Sequence, residues 1–115
     1  MAQLKGATVK PEPTCYKLET GVLGINFELP GKIELFAHYS FLSHVRMEGV
    51  DEISFHYTYG VVRARGHHLR DIYALAKQHY LGVVRLSEPG DPCRNEIEIR
   101  EIVFEDAETA TVGSV

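Results

Sequence analysis

The sequence is short of several things, and each shortage narrows the reading. It holds only two cysteines, Cys15 and Cys93, far apart and in no C-x-x-C pair. Two are too few for a disulfide scaffold. Two unbonded thiols in a reducing compartment are expected, with a staple between them as the alternative. No apolar run approaches the ~20 residues that a helix needs to span a bilayer. The opening "MAQLKGATVKPEP" has no apolar leader core. A cytoplasmic protein with no membrane partner is therefore expected. There is no lipidation signal, internal repeat or low-complexity tract.

Sequence-encoded chemistry is sparse as well. There is no G-x-S-x-G elbow and no Walker loop, and Gly21 and Gly24 lack the third glycine and following helix of a dinucleotide site. The histidines at 38, 44, 56, 67, 68 and 79 show no H-x-H or H-E-x-x-H spacing. His68 and His79 share a helix face but stand ~16 Å apart along it. No metal and no cofactor is expected.

What is present suits one folded domain. The 115 residues are 44% apolar and 24% charged, unlike a disordered chain. The proline-bearing residues 1–14 read as a flexible N-terminal arm, 15–104 as a single α+β domain and 105–115 as a flexible tail. Net charge is −4, which argues against a dedicated nucleic-acid binder. The charge is unevenly placed. Residues 1–55 carry five Lys/Arg against seven Asp/Glu, residues 56–86 five against one, and residues 87–115 two against eight. A basic middle and an acidic end attract, within a chain or between subunits.

Alternation of apolar and polar residues marks strands along much of the chain. Leu23, Ile25 and Phe27 form one apolar face, and "PG" at 30–31 is a turn signal. A strand is expected from near residue 43. The clearest hairpin is "EISFHYTYGVVRARG": Ile53, Phe55, Tyr57 and Tyr59 face one way, Ser54, His56 and Thr58 the other. Gly60 suits its tight reversal and Gly66 its stop. Leu69, Ile72, Tyr73, Ala76 and Tyr80 then form a helical stripe, giving one amphipathic helix at about 68–81, closed by Gly82. "VVRLS" and "EIEIREIVFE" are further strands. The fold class is α+β: a curled, mainly antiparallel sheet of about five to seven strands, a partial barrel being possible, with that one helix on it. A single helix covers only part of such a sheet, so curling or a second subunit must cover the rest.

The segment "RARGHHLR" concentrates the candidate chemistry. First-turn amides of a helix lack acceptors and the dipole adds positive charge there, so an anion is stabilised. Arg63, Arg65, His67, His68 and Arg70 form the expected anion-binding set at the strand–helix junction 63–70. The bland alternative is a solvated edge guarded by arginines. Tyr57 and Tyr59 offer either core packing or a stacking platform for single-stranded RNA.

Residues 61–72, "VVRARGHHLRDI", resemble the second signature of Sm-like RNA-binding proteins: an apolar strand, Arg-Gly, two polar residues, an apolar one and an Ile. The likeness implies that Arg65, Gly66 and His67 would contact RNA in a ring of subunits. The first signature of that family is not visible upstream. The leading expectation is a non-enzymatic binding or assembly module acting as a homo-oligomer, receiving an acidic segment or small anion. Single-stranded RNA binding of Sm-like type is the alternative, and a small enzyme using histidines from separate strands the second.

Overall fold

Pro30 and Gly31 reverse the chain as their backbone preferences dictate: Gly31 sits at φ 82° and Lys32 follows at 62°. The flanking strands, β2 (Gly24–Leu29) and β3 (Ile33–His38), pair antiparallel, with Phe27 opposite Leu35. A 3-10 turn at Tyr39–Phe41 then carries the chain across to β4 (Leu42–Glu48), β5 (Glu52–Tyr57) and β6 (Gly60–His67). Helix α1 (Arg70–Lys77) returns it to β7 (Leu81–Val84), and β8 (Glu98–Asp106) closes the order, with β1 (Tyr16–Leu18) at the start. The computed structural model describes residues 13–93 and 96–107.

Among the described residues eight strands form two four-stranded sheets, ordered β1-β7-β2-β3 and β4-β5-β6-β8. The second is wholly antiparallel, whereas β7 runs parallel to β2 in the first. Strands β2 and β7 can run parallel because the chain between them makes a long excursion through β3, the second sheet and α1. The inner faces of the sheets meet in one core. Ile25 and Phe27 of β2 are buried with Ile53 and Phe55 of β5, Val62 of β6 and Ile102 of β8. The Phe27 and Phe55 rings meet edge to face at 5.0 Å. The helix adds Ile72 and Ala76 to this core, and Leu69 at its N-cap adds a third side chain.

The α+β class is as expected. The strand count of eight exceeds the range of five to seven, and two facing sheets, not a closed barrel, do the covering. The 3-10 turn explains this. It lets the chain leave one sheet and start another, so each sheet buries the other's apolar face. Leu23 departs from the expected apolar face and is 70% exposed, because β2 begins only at Gly24.

The helix is shorter than 68–81. His68 turns the corner before it at φ 55°, and His79 ends it at φ 62°. His79 N–H donates to Ala76 O and Tyr80 N–H to Leu75 O, the paired bonds of a left-handed helix stop. Gly82 was expected in that role and lies in β7 instead. The His79 ring stacks on Tyr39 at 4.1 Å, which offsets the cost of a left-handed non-glycine residue. Tyr39 is itself pinned: its hydroxyl accepts from Leu81 N–H and donates to Leu81 O. Burial pushes that phenol up to about 12.

Two further glycines act through size alone. Gly66 does not stop its strand; β6 runs through it to His67. Gly60 has no positive φ and sits against the Phe104 ring and the Glu105 carbonyl. At the C-terminal side, Glu105 and Asp106, placed in the expected tail, pair with Val61 and Gly60. At the other end, Thr14 of the expected arm bonds Asp91 through both its amide and its hydroxyl. The rest of the arm, 1–12, and of the tail, 108–115, lies outside the described residues. No helix among the described residues is long and apolar enough to cross a membrane.

Candidate functional site: a charged groove on the second sheet

Strand β6 alternates strictly. Val62, Ala64 and Gly66 are buried, so Arg63, Arg65 and His67 project from the outer face of the second sheet. Register then decides their neighbours. Arg63 lies between Ser54 of β5 and Val103 of β8, and Arg65 between Glu52 and Glu101. Each guanidinium is therefore held between carboxylates. Arg63 reaches Glu52 at 3.6 Å and Glu105 at 3.6 Å. Arg65 reaches Glu52 at 3.2 Å and Glu101 at 3.7 Å. Glu52, its side chain only 19% exposed, is the hinge between the two arginines. Half-exposed pairs of this kind each contribute less than about 1 kcal/mol. Their effect is chiefly to hold long side chains in place.

These side chains line an open groove of about 330 Å³, with Val103 as its one apolar wall. A second hollow of about 490 Å³ shares Arg65 and Glu101 and adds Asp51 and Arg100. Both hollows are lined by cations and carboxylates together.

The expected anion-binding set divides at His68. Arg63, Arg65 and His67 lie on the outer face, His67 with Glu98 at 3.8 Å. His68 is itself the left-handed corner and Arg70 lies beyond it, and Arg70 has no ion-pair partner among the described residues. The arginines thus meet carboxylates across the sheet, not the first turn of α1. Glu52, Glu101 and Glu105 were missed as site residues. The alternation of "EIEIREIVFE" marked its acids as an exposed face, but nothing local told which strand would lie beside them.

Tyr57 and Tyr59 stack on one another at 5.4 Å. Tyr57 is only 6% exposed and its ring also packs on Phe27, so it is closed to a base. Burial raises its phenol far above the ordinary value, and the hydroxyl has no hydrogen-bond partner among the described residues.

Two of the histidines meet on this face. His44 and His56 stack at 4.2 Å from opposite positions on β4 and β5. His56 Nε2 is 3.0 Å from the hydroxyl of Ser54, which is fully buried between Arg46 and Arg63 in register. Among the described residues no group of three or more His, Cys, Asp or Glu is placed to hold a metal. Burial, then His44, Arg46 and Arg63, lower the His56 pKa below the usual imidazole value, with Glu48 opposing. Protons therefore bind the unfolded chain first. His56 leaves stability intact above an unfolded value of about 6.5 and erodes it as pH falls below that. Urea midpoints measured from pH 7.5 down to 5 will decline, and the decline will be shallower in His56→Gln. An equal slope in the variant would remove His56 from the account.

The two cysteines form no disulfide. Cys15 is fully buried, its Sγ 3.9 Å from Ile97 O, and burial pushes its thiol pKa up. No protein family, curated protein or solved structure matches this chain, so the likeness of residues 61–72 to the Sm-like signature stays local.

Proposed function

We propose that the protein is a cytoplasmic, non-enzymatic binding module, and that the charged groove of β5, β6 and β8 receives a polypeptide segment of mixed charge. The observation that carries this is the flanking of Arg63 and Arg65 by Glu52, Glu101 and Glu105. A simple anion or an acidic segment would have to displace these carboxylates. A segment carrying both signs can instead place its acids on the guanidinium groups and its bases on the glutamates. Val103, 38% exposed, adds a small apolar contact between them. Complementary charge of this kind sets register and association rate more than affinity. Weak, salt-sensitive binding is therefore expected.

Amide shifts in nuclear magnetic resonance spectra test this directly. A decapeptide of alternating Lys and Glu should move the amides of Arg63, Arg65 and Val103 at low salt. The shifts should vanish near 1 M salt, where screening acts over ~3 Å, and in the Arg63→Ala/Arg65→Ala double variant. Equal shifts with an all-Glu peptide would return the site to a plain anion receptor. No shifts with either peptide would remove the groove as a binding site.

A further inference from the structure

Each sheet has two edge strands, and three of the four are protected. Strand β1 has three residues and a register shift at Lys17/Leu18. Strand β4 is irregular between Leu42 and His44 and has α1 packed against it. Strand β8 is lined with Glu101, Glu105 and Asp106, and Ser87 bonds both the amide and the carbonyl of Ile99. Short length, bulges, covering elements and charge are the usual devices against edge pairing. Strand β3 has none of the first three, and of charge it carries the single acid Glu34. It is six residues long, pairs with β2 without a register shift, contains no proline, and has no second strand partner among the described residues. Ile33 and Phe36 on it are 56% and 49% exposed, and Phe41 just beyond it 49%.

We infer that β3 is a dimerisation edge that pairs antiparallel with β3 of a second copy, joining the two first sheets into one. Self-complementarity identifies the occupant. A twofold axis perpendicular to the sheet keeps outer faces together only if some residue lies opposite itself. With Phe36 on the axis, Glu34 faces His38 of the second copy, twice, and the phenylalanines meet. Centring on Leu35 instead would set Lys32 against His38, and centring on Ala37 would set Phe36 against His38. Neither alternative sets the Glu34 carboxylate against a basic side chain. Both partners are already oriented on the outer face. Asn26 Nδ2 donates to Glu34 Oε1 at 2.9 Å, leaving the other carboxylate oxygen for a partner, and the His38 ring packs edge-on against Phe36 at 5.2 Å. The charged groove lies on the other sheet and takes no part, so this inference stands or falls apart from the proposed function.

Sedimentation equilibrium of the full chain across a wide concentration range tests it. The wild type should show a reversible monomer–dimer equilibrium, and Phe36→Lys should be monomeric throughout. Glu34→Lys should weaken the dimer roughly tenfold, from two cross-strand pairs reversed at once. His38→Lys should tighten it, and E34K/H38E should restore it by setting a lysine opposite a glutamate in both pairs. The rescue separates a lost interface from a lost fold. A wild type that stays monomeric, or a dimer indifferent to Phe36→Lys and the charge exchange, overturns the proposal.

Discussion

Gly66→Ala should be among the most damaging single substitutions in this protein, despite adding one carbon. A Cβ at this position would lie 1.7 Å from the backbone carbonyl oxygen of Glu98 and 2.9 Å from Cα of Ile99. Backbone, unlike the end of a side chain, cannot swing aside. Strand β8 would have to move away from β6, and the amide of Gly66, which donates to Asp51 O at 2.9 Å, would be pulled with it. Overpacking against an immovable neighbour lies at the upper end of its range, about 3 kcal/mol. The thermal midpoint should fall on the order of 10 °C. Gly21→Ala makes the contrast. That glycine has φ 74° and nothing within 4 Å of a Cβ, so only the left-handed conformation is penalised, by roughly 1 kcal/mol. If both variants melt alike, β6 and β8 do not approach as closely at Gly66 as described.

Phe27→Ala should be comparable or worse, for the opposite reason. Phe27 is fully buried and touches Phe55 at 5.0 Å and Tyr57 at 6.2 Å, both on the facing sheet. Truncation removes the ring that ties the two sheets together and leaves a cavity between them. Such substitutions cost about 3–5 kcal/mol, a large part of the 5–15 kcal/mol available to a domain. In urea the midpoint should drop with the slope unchanged and a single transition retained. Two separate transitions in the wild type would show that the sheets do not share a core. Leu23→Ala, at a site 70% exposed, should change stability by less than about 0.5 kcal/mol.

The same contrast between local and distant partners explains what could be read in advance. The β5–β6 hairpin was legible because Ile53, Phe55 and Tyr57 are buried and alternate with outward neighbours. Arg63 and Arg65 were legible as exposed side chains of β6 by the same parity. Their surroundings were not. Glu52 is opposite Arg65 through a hairpin, but Glu101 and Glu105 arrive through the pairing of β6 with β8, across α1 and β7. The stop of α1 shows the limit from another side. Gly82 is the cheaper left-handed residue by backbone sterics, yet His79 takes the position because Tyr39, far along the chain, receives its ring.

The sequence by itself determined which residues are wet and which are dry on most strands, where the Pro30-Gly31 turn falls, and that one amphipathic helix follows β6. Periodicity reports these because each is set by bonds between neighbours along the chain. Tertiary structure alone decided that two sheets cover one another, that each arginine of β6 stands between carboxylates, and that β3 lies at a sheet edge with no second strand beside it among the described residues. Those outcomes depend on which strand lies beside which. Pairing energies between residues distant in the chain settle that, and they leave no periodic trace in the order of the residues.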